Sequence, residues 1–322
     1  MTVAADSSAE PIVAVDLGGT AIKSALVSVD GRILSRAETP TQADTSRERV
    51  IENIINAVKQ VHPGRVRGIG IGSPGWVNGE TGEVNWIENI PVLNGVSLTD
   101  PVRQAFDCPV FIDNDATNAA RGEFTFGAGR GARNLLAITL GTGVGGGLIL
   151  NGEVFTGGIH YAGEIGHMTY IPEGMACSCG KRGCLEAYAS ATAIRRAARS
   201  IRKRRIQSRL LEMDEAEVDA RMVCDLARAG DEACRSIVTE VGTALGVVLG
   251  SVINLLNLDR VVIGGGVAAA GEILFEPLRL YASRHALPYA FDCVEILPAR
   301  LGNDAGAAGS AALVLMNLGG ES

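Results

Sequence analysis

The feature that most constrains the fold is a pattern the chain uses twice. Residues 11 to 34 read PIVAVDLGGTAIKSALVSVDGRIL, in which an apolar run ends in Asp-Leu-Gly-Gly-Thr, a second apolar run follows, and Asp30-Gly31 offers a hairpin turn. Residues 134 to 155, NLLAITLGTGVGGGLILNGEVF, repeat that order and close on Asn151-Gly152. A strand, glycine turn, strand and hairpin occurring twice predict a duplicated domain. Short apolar runs such as VRGIGIGSPG and CPVFIDND, with helical stretches between and after them, make the architecture α/β. At 322 residues there is room for two cores, and 47% hydrophobic against 20% charged residues suits packed domains.

The second copy contains a decoy. Gly141, Gly143 and Gly146 spell G-x-G-x-x-G, with Glu164 eighteen residues further on. A dinucleotide site needs that turn to open a helix, whereas these glycines run into Leu-Ile-Leu and an Asn-Gly turn, so the chain continues as strand. A glycine turn between strands can still bind phosphate, because backbone N–H groups converge on an anion with no Cβ in the way. Two such turns at matching places, DLGGT at 16–20 and LGTG at 140–143, point to a nucleotide; an ordinary tight hairpin is the alternative for either alone. Gly264-Gly265-Gly266, after the run RVVI, is a third turn suited to passing beneath a nucleoside.

Three of the seven cysteines are crowded together. Cys177, Cys179 and Cys184 follow His167, while Cys108, Cys224, Cys234 and Cys293 lie singly. The N-terminal MTVAADSSAEP lacks the charge and apolar run of a signal peptide, which predicts a cytoplasmic protein. In a reducing compartment a tight cluster favours metal over disulfides. Three thiolates and one imidazole form a closed tetrahedral set suited to structural Zn²⁺, with Gly180 and Gly183 letting the chain turn; free thiols are the alternative. Such a knot would hold Glu164 and Glu186 still, and both carboxylates could then accept hydrogen bonds from a polyhydroxy ligand. Surface salt bridges are the competing use for them.

The acid for chemistry is sought in FIDNDATNAARGE, residues 111 to 123. Polar residues at the end of a buried strand face the ligand in α/β folds, so Asp113, Asn114, Asp115 and Asn118 are candidates. A carboxylate there could deprotonate an alcohol as it attacks phosphorus, with Asn114 or Asn118 orienting the alcohol. Helix capping by Asp113 or Asp115 accounts for one acid but not for the whole run.

Charge and hydropathy narrow the partners. A net charge of -7 gives no electrostatic reason to expect nucleic acid or an anionic membrane. Val241 to Leu258 carries no charge, and Gly242, Gly246 and Gly250 repeat the spacing of membrane-helix contacts. It also holds Thr243, Ser251, Asn254 and Asn257 and runs into DRVVIGGG, which predicts a core helix whose glycines permit close packing. The basic run RRAARSIRKRR, 195 to 205, followed by EMDEAEVDAR, predicts the solvated face of a helical hairpin.

Together VDLGGTAIKSALV, GIGSPGWVNGETGEV, FIDNDATNAARGE, LGTGVGGGLILNG, AGEIGHMTY, CSCGKRGCLEAYAS and VVIGGGV resemble the ROK family (repressors, open reading frames and kinases) from residue 11 to the end. Within it the chain looks most like the bacterial glucokinases. The GEIGH and C-x-C-G-x-x-G-C-L-E pair is the family signature. The resemblance implies an actin-like (ribonuclease H-like), duplicated two-domain sugar kinase fold with a cleft that closes over its substrates. An N-terminal α/β domain at 11–122, completed by a C-terminal helix at 303–322, would precede a C-terminal domain at 123–302 holding the zinc knot.

The implied activity is ATP-dependent phosphorylation of a hexose 6-hydroxyl, with glucose the expected sugar and an N-acetylhexosamine the alternative. Mg²⁺ and structural Zn²⁺ are the implied cofactors, and a dimer or tetramer the implied assembly. Residue by residue, Asp115 matches the catalytic base, and Asn114, Glu164, His167 and Glu186 match sugar contacts. His167 would then place one ring nitrogen on zinc and the other on a sugar hydroxyl. Gly75 and Asn89 match the loop lining the pocket, although Ile-Glu-Asn-Ile stands where Ala-Pro-Asn-Leu is commoner. Asp16, Gly18, Gly19, Thr20 and Lys23, with Gly141, Thr142 and Gly143, match the phosphate loops, and Asp16 would hold Mg²⁺. Gly265 and Gly266 match the nucleoside turn. Asp259, where the family often has proline, is expected to matter little. Sugar-responsive repressors of the family carry a DNA-binding domain before the first strand; ten residues precede it here, which predicts a kinase without a nucleic-acid partner.

Overall fold

The two copies of the strand-turn pattern become two sheets of the same design. The structure is a computed structural model describing residues 10–319. The first copy forms strands β1 (Ile12–Leu17), β2 (Ala21–Val27) and β3 (Ile33–Pro40), followed by helix α1 (Arg47–Val61) and strand β4 (Ile69–Ser73). Three short strands come next, β5 (Trp76–Asn78), β6 (Glu83–Trp86) and β7 (Val96–Ser97), then helix α2 (Thr99–Phe106), strand β8 (Val110–Asn114) and helix α3 (Asp115–Phe126). The main sheet has the order β3-β2-β1-β4-β8, with β1, β4 and β8 parallel and the hairpin strands antiparallel. β5, β6 and β7 make a small antiparallel sheet of their own.

The second copy supplies β9 (Leu135–Leu140), β10 (Val144–Leu150) and β11 (Glu153–Phe155). Helices α4 (Glu186–Ala189), α5 (Ala191–Lys203), α6 (Ala220–Arg228) and α7 (Glu232–Leu256) follow, then β12 (Arg260–Gly264), α8 (Glu272–His285), α9 (Pro288–Phe291), β13 (Glu295–Pro298) and α10 (Ala305–Gly319). The order β11-β10-β9-β12-β13 repeats the first sheet, with a hairpin on one flank and two parallel strands on the other. Both predicted hairpin turns form, with Gly31, Asn151 and Gly152 at positive φ.

The apolar run of β1 is buried on both faces, as expected of a strand covered by helices on each side. Val13, Val15 and Leu17 join a core with Val50, Ile54 and Val58 of α1, while Ile12 and Ala14 pack with Ala311 and Val314 of α10. Alternation along one strand thus fixes two helical layers.

The chain divides into two compact units. The first runs to Gly131 and includes Gly147–Gly163 and the stretch from Arg300; the second is Ala132–Gly146 with Glu164–Ala299. A boundary at 122/123 would cut α3, which continues unbroken to Phe126. The buried Glu123 explains why the helix belongs whole to the first unit: its carboxylate accepts backbone N–H groups of Ala128, Arg300 and Leu301 at 2.8–3.1 Å.

The charge-free stretch lies in α7, which is long and apolar enough to cross a membrane, yet 67% of its apolar window is buried inside the protein. Its glycines face α8: a Cβ on Gly242 or Gly246 would lie 2.4 Å from the carbonyl oxygen of Leu274 or Leu278. The basic run behaves less simply than a solvated hairpin. Arg195, Arg196 and Arg199 are exposed on α5, but Arg202 turns inward to the carbonyls of Leu210 and Met213. The acidic segment after it forms two 3-10 turns, Arg209–Glu212 and Glu215–Glu217, because Asp214 and Asp219 cap the elements that follow them rather than continuing a helix.

Candidate active site

In the first unit the Asp-Asn-Asp run lies at the junction of β8 and α3. The cap is Asn114, not an aspartate: its Oδ1 accepts from the N–H groups of Ala116 and Thr117 at 2.9 and 3.1 Å. Its amide donates to the carbonyl of Gly75 at 3.0 Å. Asp113 is instead held in a buried pair with Arg121 at 2.6 Å. Arg121 also donates to Oδ1 of Asn118, whose own amide donates to the Ile71 carbonyl (3.2 Å) and Ser310 Oγ (3.3 Å). Asn118 is fully buried, so it is a framework residue and not a substrate-orienting one. Asp115 stands half-buried on the first turn of α3, its Oδ1 accepting the Ala116 N–H at 2.8 Å.

The DLGGT turn joins β1 to β2. Gly18 N–H donates to the Ala21 carbonyl at 3.0 Å, and Thr41 grips the turn from outside, its hydroxyl donating to the Gly18 carbonyl at 2.6 Å and its N–H to that of Thr20 at 3.0 Å. The register sets Asp16 opposite Lys23. Burial pushes the Asp16 carboxyl above the ordinary carboxylate range, against the pull of Lys23. Asn89 is exposed next to Gly19, where a Cβ would lie 3.3 Å from its own. Thus the first unit brings Asn89 to the turn and Gly75 to Asn114.

In the second unit the 3-10 turn Ile165–His167 separates Glu164 from the imidazole, and α4 begins at Glu186. The loop between is knitted by its own backbone: Thr169 pairs with Cys184, Ala176 with Arg182, and Cys177 N–H donates to Lys181 O at 2.9 Å. It gathers one ligand atom each from His167, Cys177, Cys179 and Cys184, all within 4.8 Å of one another. Zinc bound tetrahedrally at ~2.3 Å from sulfur requires S···S edges of ~3.8 Å and S···N edges of ~3.6 Å. Cys179 Sγ and Cys184 Sγ are 3.7 Å apart, and Cys177 Sγ lies 3.7 Å from His167 Nδ1. The donor set and its spacing therefore fit Zn²⁺. Burial, with the neighbouring Cys179 and Cys177 thiols adding to it, pushes the Cys184 thiol up to about 12.

The other imidazole nitrogen, Nε2, faces Glu164 at 3.8 Å. Burial raises the Glu164 carboxyl, His167 draws it down, and Glu186 pushes it further up, so the two carboxylates are near enough to feel each other. Glu186 Oε2 accepts the Val144 N–H at 3.0 Å and Oε1 the Ser178 hydroxyl at 3.1 Å. Gly143 makes that approach possible, since a Cβ there would lie 2.3 Å from Oε2. Ala191 N–H and the Thr192 hydroxyl anchor the carbonyls of Gly141 and Thr142 at 2.8 and 2.9 Å. Gly265, at φ +87°, lies against the start of the same turn, where a Cβ would come within 2.4 Å of the Leu140 carbonyl. Gly266 follows it with open space around its Cα. Asp259 matters more than expected: its carboxylate accepts the N–H groups of Arg133 and Asn134, joining the start of β9 to β12.

Thr41, Ser178 and Thr192 are the residues that sequence reasoning missed. Ser178 alone had a signal, its place inside the C-x-C.

Two like sheets with glycine turns at matching places, and a carboxylate pair against a Cys₃His cluster, define an α/β protein of the actin-like, duplicated sugar kinase fold. Residues 12–317 match the ROK family, and the chain belongs to it. It is 39% identical to a glucokinase of Thermotoga maritima over 312 residues, covering 96% of this chain and 98% of that one. Among solved structures, a ROK glucokinase from Streptomyces griseus in complex with glucose and AMPPNP is similar at a TM-score of 0.82 and 32% identity, covering 94% of this chain and 98% of that one. A ROK transcriptional regulator, a homologue of the Escherichia coli MLC protein, is similar at a TM-score of 0.88 and 28% identity; 96% of this chain covers 78% of it.

Proposed function

We infer that the chain is an ATP-dependent glucokinase, transferring the γ-phosphoryl group to the 6-hydroxyl of glucose. The observation that carries this is the near-full-length similarity to a glucokinase at 39% identity. The Glu164–Glu186 pair beside His167 supplies the polyhydroxy-binding chemistry such an activity needs.

In this reading Glu164, Glu186 and His167 Nε2 bind sugar hydroxyls. Each ionised carboxylate offers about four lone-pair positions, so Glu186 keeps acceptor capacity after receiving Val144 and Ser178. Asn114 contributes a further sugar contact, with Gly75 and Asn89 lining the pocket. Asp115 accepts the 6-hydroxyl proton as the new O–P bond forms and the bond to the ADP oxygen breaks. Backbone N–H groups of the turns at Gly18, Gly19, Thr20, Gly141, Thr142 and Gly143, with Lys23, bind the phosphates, and Gly265 and Gly266 pass beneath the nucleoside. Asp16 holds Mg²⁺, which when bound neutralises phosphate charge. Cys177, Cys179, Cys184 and His167 Nδ1 hold Zn²⁺, which fixes the loop bearing Glu186. An assembly of two or four copies belongs to the same reading.

The test is a coupled ADP-release assay with Mg-ATP on glucose, N-acetylglucosamine, N-acetylmannosamine, mannose and fructose. The expected result is a kcat/KM for glucose at least about tenfold above the others, or ~1.4 kcal/mol of transition-state preference. Preference for an N-acetyl sugar would move the substrate while keeping the kinase, and no turnover with any sugar would remove the assignment.

A further inference from the structure

We propose that Trp76 is a positioning residue for glucose binding, acting through the segment that delivers Glu164. This deepens the functional reading above and rests on it. Trp76 follows Gly75, whose carbonyl receives the Asn114 amide, so one edge of β5 already serves the α3 terminus. Its indole N–H donates to the Ile159 carbonyl at 2.7 Å, and its ring tilts against Tyr161 with centroids 5.8 Å apart. From the turn between β5 and β6, Glu80 approaches His160 Nε2 at 3.7 Å. The small sheet thus engages Ile159, His160 and Tyr161, three successive residues, within the first unit.

What makes the contact informative is the segment it holds. Thr156 to Gly163 leaves β11 through Gly157 and Gly158 and ends at Gly163, the residue before Glu164. Gly157 and Gly163 are both at positive φ. Ile159 is 61% exposed and Tyr161 40%, so neither contributes to a core. A glycine-flanked, partly exposed segment gains little stability from being pinned at three points. The effect of pinning is on the backbone that follows. Glu164 is the next residue in the chain and the turn bearing His167 comes directly after it, so ordering the segment removes freedom from the backbone at Glu164. Ordering the segment beforehand removes an entropic cost from sugar binding. Glucose more than ATP should sense its loss, because the residue that follows the segment is the sugar contact Glu164 and not a member of either phosphate turn.

The test uses the full-length protein with two variants. Trp76→Phe keeps a ring but removes the N–H, and Tyr161→Leu removes the ring contact from an exposed position. Glucose affinity is measured by calorimetry without ATP, and KM and kcat are measured for both substrates. We expect glucose to bind about three- to tenfold more weakly in each variant, the worth of one indirect hydrogen bond or aromatic contact. KM for MgATP, the zinc content and the urea midpoint should stay as in the unchanged protein. Unaltered glucose affinity in both variants overturns the proposal. So does an equal loss for glucose and MgATP, which would mean general loosening. Failure of the functional reading looks different: the unchanged protein would then neither bind nor turn over glucose.

Discussion

Replacing Arg121 with methionine is expected to damage the first unit far more than losing an ordinary ion pair. Arg121 donates to Asp113 at 2.6 Å and to Asn118, with side chains of the ion pair only 5% and 12% exposed. Methionine keeps most of the stem volume, so packing loss is small and the polar loss dominates. The Asp113 carboxylate is left buried with only the Asn114 N–H at 2.8 Å. Breaking a buried pair from one side costs about 3–5 kcal/mol, against about 0–1 kcal/mol for a surface pair. Both tryptophans, Trp76 and Trp86, lie in the first unit, so tryptophan emission during urea unfolding reports on that unit alone. With a slope of roughly 2–3 kcal/mol per molar urea, the midpoint should fall by roughly 1–2.5 M. Adding Asp113→Asn to Arg121→Met should recover more than half, because the unpaired charge is gone. A loss below about 1 kcal/mol for Arg121→Met would refute the reasoning, placing this pair among those that water screens.

Two further outcomes follow from the site. Asp16→Asn should stabilise the protein at neutral pH while abolishing turnover. The sign comes from burial raising the folded carboxyl above its unfolded value, so the folded state retains a proton that the unfolded state has lost, and stability drains away as pH rises through that window. The variant's advantage in urea midpoint should therefore shrink as pH falls through the ordinary carboxylate range, and an advantage independent of pH would show that Asp16 is not its source. Cys179→Ser should lose zinc and activity together, measured by metal analysis and the coupled assay, whereas full activity in zinc-free protein would show the cluster dispensable.

The parts of the fold legible in the sequence are those written in local chemistry. Asp30-Gly31 and Asn151-Gly152 specify hairpins by themselves, and two of them in matching contexts specify a duplication. The glycine spacing in α7 is equally local, needing only one partner helix to explain it. What could not be read depends on contacts between distant segments. Thr41 grips Gly18 from the end of another strand, and Asp259 reaches Arg133 from the far side of the second unit's sequence. The first unit keeps α3 whole because Glu123 finds the backbone of Arg300 and Leu301, and no local pattern announces that. In the Asp-Asn-Asp run the spacing suggested several usable polar groups. Arg121 and Ser310 decide that Asp113 and Asn118 are framework, which narrows the candidates to Asn114 and Asp115. Trp76 was hidden for the same reason, since its partner is a backbone carbonyl elsewhere in the chain.

The most direct test of the account is the Asp115→Asn variant, with glucose 6-phosphate formation and glucose binding measured on the same preparation. A general base contributes about 10²–10⁴ in rate, so turnover should fall to below about one per cent of the unchanged enzyme. Glucose affinity should stay within a few-fold, because Glu164, His167 and Glu186 are untouched. A variant that retains a tenth or more of the original rate, or that loses glucose binding along with turnover, would contradict the assignment of Asp115 as the base.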